Sequence, residues 1–322
     1  MRKKLLFSFL LAGLFAKAQV DTSINGLMNE MDAKSNESKP AVKIFTAQKL
    51  INANTVEMLR KGHFEFKVQH NFGDIAGKNG GIHNYFGLDN ASDIKIQFQL
   101  AFSDKLNMVL ARTRGGQYTG GDVRELYEMG LKYQLMQQRE KDPSHPLSIT
   151  MYGNAVFSAM KNLNLVDAEN SFKNFSDRGS SLLQLMVAKK VGGVSLQFNP
   201  SFVHTNHVES GDQNNMFAVG GAIRLPIVKS LALIADYFHP FRTRKSTDAL
   251  RFKNNTNLYD VFGVGFELLT PGHVFHFNVT NTIYLLENRF IPRTFTTYGK
   301  GQYRWGFTIS RDFIVFRDKK NK

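Results

Sequence analysis

Residues 93–114 alternate apolar and polar side chains with a regularity that restricts the fold severely. The first half reads DIKIQFQLAF, so isoleucine, leucine or phenylalanine recurs at every second position. Because the side-chain period of an extended chain is two, the apolar residues share one face. After the polar Ser103-Asp104-Lys105 the alternation resumes in LNMVLARTR. The pattern predicts an antiparallel hairpin with arms of about ten residues, the length of a tilted membrane-crossing strand.

The same alternation recurs along the chain and predicts about twelve strands. Their connections mostly alternate between long and short, as in outer-membrane barrels, which have short periplasmic turns and longer external loops. A soluble β-sandwich has no reason to sort its loops in this way. The predicted fold is all-β, a single antiparallel transmembrane β-barrel over residues 62–322 with both chain ends in the periplasm. The predicted strands are residues 64–70, 93–102, 106–114, 126–136, 147–158, 181–191, 194–204, 216–225, 231–238, 259–269, 274–281 and 303–310.

The N-terminus has the three parts of a secretory signal. Arg2-Lys3-Lys4 is followed by an apolar run over residues 5–15 and by Ala16-Lys17-Ala18, which predicts cleavage after Ala18. Removing these four basic residues lowers the formal charge from +14 to +10. No later apolar run approaches 18 residues, so helical membrane spans are not expected. These features predict export and localisation in a bacterial outer membrane.

Residues 19–61 differ from the rest of the chain and are predicted to be a periplasmic N-terminal segment. Within it, residues 42–59 (VKIFTAQKLINANTVEML) mix the periods of strand and helix. Three alternatives stay open for them: a short strand, a helical turn, or a segment that enters the barrel.

The polar face of the strands is expected to line the barrel interior, because hydrocarbon does not solvate polar groups. Two alternatives remain for this interior. In an open channel its charges set the selectivity, whereas in a filled barrel they pair with one another; barrels of about eight strands are filled and barrels of about sixteen leave a channel. The candidate lumen residues are Glu65, Lys67, Lys95, Gln97, Glu128, Lys132, Asp236, Glu267 and Arg304.

Basic residues cluster in two predicted external loops. Lipopolysaccharide phosphates or anionic solutes would be attracted to such loops, while a solvated loop surface is the plainer interpretation. Nucleic acid is not an expected partner of an exported barrel. The residues are Arg242, Arg244, Lys245 and Arg251 in one loop, and Arg289 and Arg293 in the other.

No catalytic, metal or cofactor site is predicted. The chain has no cysteine, which excludes disulfides, thiolate metal ligands and a cysteine nucleophile. His204 and His207 lie near Ser201 and Asn206, but no nucleophile elbow or other specific spacing accompanies them. The sequence therefore predicts a protein that is not an enzyme.

Several stretches resemble a known family. They are FTAQKLINANTVEMLRKGHFEFKVQHNFGDI (45–75), NYFGLDNASDIKIQFQLAFSDKLNMVLARTR (84–114), YEMGLKYQLMQQ (127–138) and GFTISRDF (306–313). They are similar to a β-barrel family of Bacteroidota outer membranes, a family of domains of unknown function. The resemblance implies the barrel architecture and supplies no catalytic residues.

Three function classes follow. The sequence favours a porin-like channel or transport protein for small hydrophilic or anionic solutes. The alternative is a closed structural or accessory barrel that binds periplasmic or envelope proteins. A membrane-embedded hydrolase is the remote third class.

Overall fold

Twelve antiparallel strands close into a barrel. The computed structural model describes residues 39–117, 123–162 and 168–316; the predicted signal peptide and its cleavage site lie outside them. Each strand pairs with its neighbours in sequence, and β1 pairs with β12 to close the sheet. The strands are β1 (His63–Asp74), β2 (Ala91–Ser103), β3 (Leu106–Gln117), β4 (Val123–Met136), β5 (Ser148–Ser158), β6 (Gly179–Val191), β7 (Val194–Thr205), β8 (Asn215–Val228), β9 (Leu231–Phe241), β10 (Val261–Thr270), β11 (His273–Thr280) and β12 (Arg304–Ile314).

The prediction of a twelve-stranded antiparallel barrel is confirmed. Most strand boundaries agree to within three residues; β1 and β12 end four residues later than predicted, at Asp74 and Ile314. The last four side chains of β12 are exposed on both faces, so alternation gives no signal there.

The connections differ between the two ends of the barrel. At the end where the chain enters β1 and leaves β12, four of the five turns have only two residues: 104–105, 192–193, 229–230 and 271–272. Gly192 (φ +58°) and Gly272 (φ +92°) adopt the left-handed conformation that such tight turns require. The opposite end carries the longer connections, including 75–90, 159–178, 242–260 and 281–303. This end is called the loop end below.

Short helices occur in these connections. The α-helices are α1 (Arg244–Asn254) and α2 (Glu287–Phe290), and the 3₁₀ helices are Ile82–Gly87, Phe175–Arg178 and Tyr298–Lys300. Thr243 caps α1 by accepting a hydrogen bond from the backbone N–H of Ser246 at 3.3 Å. No helix in the described part of the chain has both the length and the apolar character needed to cross a membrane.

The outward face of the strands is apolar, as the alternation predicts. On β2 the side chains of Ile94, Ile96, Phe98 and Phe102 are between 37% and 51% exposed, while the residues between them point inward and are largely buried. An apolar surface of this kind is stable in hydrocarbon, and closure of the sheet satisfies the backbone polar groups there.

The chain divides into two compact units. The larger one comprises Val42–Gln138 and Pro143–Lys322 and contains all twelve strands. The smaller one includes Ala41 and Arg139, which form an antiparallel bridge, and Lys39, whose Nζ donates to the backbone oxygen of Lys141 at 3.1 Å.

Candidate functional site in the barrel interior

All nine candidate lumen residues lie on the inward face of the strands. The exposed fraction of each is 5% or less. Three strands, β1, β2 and β4, contribute two of these residues each, so the interior surface near them is strongly polar. The nine are Glu65, Lys67, Lys95, Gln97, Glu128, Lys132, Asp236, Glu267 and Arg304.

Most of these charges are neutralised by a neighbour on the wall. Lys67 Nζ lies 2.9 Å from Glu65 Oε1, and Lys95 Nζ lies 2.6 Å from Glu128 Oε2. Arg224 Nε lies 2.7 Å from Glu267 Oε1. Arg304 pairs with Asp74 at the loop end. Such pairing in a buried interior is what the filled-barrel alternative predicts, since an unpaired buried charge is costly.

Residues 42–59, called the inner segment below, lie inside the barrel. Apart from isolated bridges it has no regular secondary structure, and most of its side chains are buried. It makes a tight turn in which the N–H of Leu50 donates to the oxygen of Ala53 at 2.9 Å, and Lys49 bridges to Asn54. Of the three alternatives that the sequence left open, the structure shows the segment that enters the barrel.

Asp236 holds the tip of this turn. Its Oδ2 accepts hydrogen bonds from the backbone N–H groups of Asn52 at 2.6 Å and Ala53 at 2.8 Å. Its Oδ1 accepts a third bond from Asn52 Nδ2 at 2.8 Å. The carboxylate thus satisfies turn amides that have no strand partner, which is the role a capping carboxylate plays at a helix N-terminus.

Other wall side chains bind the backbone of the inner segment. Lys132 Nζ donates to the oxygen of Glu57 at 2.5 Å, and Thr150 Oγ1 donates to the oxygen of Val56 at 2.9 Å. Gln197 accepts from the N–H of Val56 at 2.9 Å. A backbone without strand pairing therefore finds its partners among polar wall side chains, as buried peptide groups require. Further wall residues that bond to the segment include Gln99, Asn107, Gln184, Ser195, Asn199 and Glu267.

The opposite side of the inner segment packs on an apolar part of the wall. Ile44, Phe45, Leu50, Ile51 and Val56 are at most 4% exposed and belong to one hydrophobic cluster. Burial of these side chains supplies the hydrophobic part of the free energy that holds the inner segment against the barrel wall. The wall residues of this cluster lie mainly on β6, β8 and β9 and include Leu182, Met186, Met216, Ala218, Ala222, Ile234 and Phe238.

Gly263 on β10 gives the inner segment room to approach the wall. A Cβ atom placed there would lie 2.8 Å from Ile51 Cγ2, 2.9 Å from Asn52 Nδ2 and 3.0 Å from Asp236 Oδ1. These distances are too short for unstrained carbon contacts. The absence of a side chain at Gly263 therefore makes room for the turn at residues 50–53.

A second segment enters the barrel from the loop end. Residues 282–291 of the β11–β12 connection, called the inward loop below, are mostly buried and include helix α2. The N–H of Leu285 donates to Asp93 Oδ2 at 2.9 Å, which fixes the loop to β2. The ring of Phe290 packs edge-on against Phe238 with 5.3 Å between centroids.

The inner segment and the inward loop meet at a buried ion pair. Lys49 Nζ lies 2.5 Å from Glu287 Oε1 and also donates to the oxygen of Leu285 at 3.0 Å. Both charged side chains are 1% exposed. Removal of either partner would leave a charge buried without compensation. This contact joins the part of the chain that enters from the turn end to the part that enters from the loop end.

Three of the six predicted external basic residues are engaged in largely buried ion pairs with residues distant in sequence. Arg242 pairs with Asp212, and Arg293 pairs with Glu209. Arg289 Nη1 lies 3.3 Å from Glu169 Oε2. The interpretation of a solvated basic loop is therefore wrong for these three, because acidic partners distant in sequence reach them in the fold. The other three, Arg244, Lys245 and Arg251, are exposed on or beside α1.

Glu169 is the carboxylate at the centre of an arginine cluster. Burial alone would raise its pKa, but the guanidinium groups of Arg289, Arg293 and Arg124 outweigh burial and lower the pKa from 4.5 to about 2. Since the pKa is lower in the folded than in the unfolded state, this carboxylate stabilises the fold above about pH 4.5. The contribution is lost as the pH falls through about 2.

We expect acid to loosen this cluster, and Glu169→Gln to remove that sensitivity. Between pH 5 and pH 2 the wild type should lose about 3 kcal/mol of stability at this site. The variant should be less stable at pH 5 and should lose correspondingly less on acidification. Denaturant unfolding of both proteins at the two pH values measures the difference. Equal acid losses in the two proteins would contradict the assignment.

The histidines near Ser201 do not form a hydrolytic arrangement in the described residues. Ser201 accepts a hydrogen bond from Gln184 Nε2 inside the barrel at 2.9 Å, whereas His204 bonds to Asn215 at 2.7 Å. His207 Nε2 lies 3.0 Å from the oxygen of Ala168. No group of three or more histidine, aspartate or glutamate side chains suited to a metal ion occurs in the described part of the chain.

Comparison with known proteins assigns the family. A family model described as "Membrane bound beta barrel domain (DUF5777)" matches residues 45–313, which span the inner segment and the barrel. The chain belongs to the DUF5777 family. The family description agrees with the apolar outward face of the closed sheet, so this DUF5777 chain is a membrane β-barrel. The match begins within the inner segment, which is therefore included in the family domain.

Among solved structures, this DUF5777 barrel is similar to outer-membrane porins and channels. The COG4313 outer membrane channel from Pseudomonas putida F1 has a TM-score of 0.48 and 11% identity, covering 80% of this chain and 98% of that one. The KdgM porin has a TM-score of 0.45 and 8% identity, with 78% and 99% covered. The NanC porin gives 0.45 and 6%, with 79% and 100% covered. Identities this low concern barrel architecture only. No significant match is found among curated proteins.

Proposed function

We propose that this DUF5777 protein is an outer-membrane channel for small hydrophilic or anionic solutes, and that its own inner segment closes it. In this proposal the signal peptide is cleaved after Ala18 and the turn end faces the periplasm. The bacterium belongs to the Bacteroidota, as the sequence resemblance implies. The observation that carries the proposal is the polar wall that binds the inner segment through hydrogen bonds.

A polar wall is suited to a removable occupant. Water replaces the hydrogen bonds that Lys132, Thr150, Gln197 and Asp236 make to the inner segment, so the net cost of breaking each one is modest. The wall behind the segment is then compatible with an aqueous lumen.

The wall charges determine what such a lumen would select. Lys95 remains paired with Glu128, and Lys67 with Glu65, whether the inner segment is present or absent. By contrast, Lys132 Nζ donates to two acceptors of the inner segment, Gln48 Oε1 and the backbone oxygen of Glu57. Departure of the segment therefore uncovers a cation at Lys132, which would attract anions locally, together with the carboxylates of Asp236 and Glu287.

We expect Gly263→Val to open the barrel. The added side chain would collide with Ile51 and Asn52 and displace the turn, since overpacking of this kind typically costs about 1–3 kcal/mol. Planar-bilayer conductance should show discrete steps for the variant and rare or no steps for the wild type. Hydrogen exchange of residues 44–57 should rise in parallel.

A matched control is Gly153→Val. Gly153 lies on the outward face of β5, and the closest atom to a Cβ there would be 3.7 Å away. This variant should conduct no more than the wild type. If Gly263→Val folds and its inner segment exchanges freely while conductance stays absent, the channel proposal fails.

The second candidate is a closed accessory barrel that binds periplasmic or envelope proteins. The observation that favours it is the contact between the inner segment and the inward loop at Lys49 and Glu287, which fills the interior from both ends. This candidate predicts no conductance even from a barrel whose inner segment has been displaced. Chemical crosslinking in the native envelope would then be expected to recover a partner at the turn end.

A further inference from the structure

Two arginines lie on the lipid-facing side of the wall. Arg112 and Arg114 on β3 both point outward and stand two residues apart on one strand face. They lie toward the loop end, where β3 finishes. Among the outward-facing strand residues in the loop-end half that the structure describes, no other lysine or arginine occurs. The pair is therefore a local exception on an otherwise apolar surface.

Their protein contacts leave positive charge unmatched. Glu125 Oε1 on β4 lies 2.8 Å from Arg112 Nη2 and 3.5 Å from Arg114 Nε, so one carboxylate serves two guanidinium groups. Arg112 also lies over the ring of Tyr127, with 5.9 Å between Cζ and the centroid. Among the residues that the structure describes, the buried Nε of Arg112 has no hydrogen-bond partner, and the charges of Arg112, Arg114 and Glu125 sum to +1. Guanidinium donors match phosphate geometry.

An apolar groove runs directly below these arginines. It has a volume of about 730 Å³, and Arg112 stands at its edge. Side chains from four adjacent strands line it, among them Ile96, Phe98, Leu110, Met129 and Phe157. In a bilayer this groove is occupied by acyl chains, because it opens on the hydrocarbon.

We propose that Arg112 and Arg114 bind a phosphate of lipopolysaccharide whose acyl chains occupy this groove. Charge complementarity identifies the headgroup, and the position of the site toward the loop end identifies the outer leaflet. An arginine on the lipid face is costly at the bilayer midplane and tolerated near the interface, where phosphate is available. The inference uses the orientation of the barrel given above and is independent of whether the barrel conducts.

The test is native mass spectrometry of the purified barrel in detergent with deep-rough lipopolysaccharide as the probe. Wild type should retain the probe, and Arg112→Gln with Arg114→Gln should retain it at least about tenfold less. Arg311→Gln is the matched control, because Arg311 is an exposed arginine near the opposite end of the wall on β12. Glu125→Gln should retain the probe as well as or better than the wild type.

Three outcomes would overturn the proposal. Equal retention by the wild type and the double variant would show that the arginines do not bind the phosphate. A comparable loss in Arg311→Gln would show that any surface arginine contributes. Equal retention of phosphatidylglycerol and lipopolysaccharide by the wild type would show that the site accepts any anionic lipid.

Discussion

Deletion of residues 42–58 is expected to produce a barrel that conducts ions in planar bilayers, whereas the intact chain conducts rarely or not at all. The deletion removes the turn held by Asp236 and the backbone bound by Lys132, Thr150 and Gln197. The strands and their register do not depend on these residues, because each strand pairs only with other strands. The deleted chain should therefore still close and should contain water where the segment was.

The ion selectivity of this deleted chain should depend on the charges that the deletion uncovers, among them Lys132 and Asp236. Lys132→Gln in the deleted background should shift the reversal potential toward cation preference, and Asp236→Asn should shift it toward anion preference. Lys95→Gln should change selectivity less than Lys132→Gln does, since Lys95 lies 2.6 Å from Glu128 and that pair is already neutral. Reversal potentials in a tenfold salt gradient measure all three.

The control for the deletion is a chain that lacks residues 21–38 and retains the inner segment. In planar bilayers it should conduct as rarely as the intact chain does. Circular dichroism and electrophoretic heat modifiability establish that each variant has folded. If the chain without residues 42–58 folds but does not conduct ions, the channel proposal is excluded. The closed accessory barrel is then the preferred function.

The second large effect is expected at Lys49 and Glu287. Lys49→Met leaves the Glu287 carboxylate 1% exposed and unpaired, and Glu287→Gln does the same to the lysine. Breaking a buried pair from one side typically costs about 3–5 kcal/mol. Amide hydrogen exchange of residues 44–57 should therefore accelerate by about two to four orders of magnitude in each single variant.

In the double variant Lys49→Met with Glu287→Leu, the inner segment should lose far less stability than the sum of the losses in the two single variants. Replacing both charges by apolar groups removes the desolvation cost together with the attraction, and such replacements are often neutral. The comparison forms a double-mutant cycle. Strict additivity would show that the two side chains do not act on one another, contrary to the 2.5 Å separation of Nζ and Oε1.

The strands were predictable because lipid and a polar interior impose opposite demands on alternate residues. On β2 and β4 this contrast is strong, and the expected faces agree with the structure. On β8 and β9 it is weak, since Met216, Ala218, Ala222 and Ile234 point inward although they are apolar. A signal was present there: apolar residues on both faces of a strand indicate that something other than water covers the inside.

The inner segment was not predictable from its own residues. Its conformation follows neither the helix nor the strand period, because side chains of distant strands bind its backbone. The role of Gly263 in making room for Ile51 and Asn52 depends on a contact between residues more than 200 positions apart, which periodicity does not contain.

The ion pairs of Arg242, Arg289 and Arg293 were missed for a similar reason. The charged residues of one sequence segment identify a basic loop, but they do not identify the acidic residues of other loops that pair with it. Glu169 and Glu209 belong to other connections of the loop end, and only the closed barrel brings these connections together.

The bond between Lys49 and Glu287 has a consequence for the order of assembly. Synthesis and export deliver the inner segment before any strand, yet its partners include Asp236 and Glu287, 184 and 238 positions later in the chain. The first part of the domain to emerge therefore reaches its final place only after the last hairpin has formed. Until β6, β8 and β9 have formed, its apolar residues have no wall to pack against, so a periplasmic chaperone that shields nascent chains would be expected to act on this stretch.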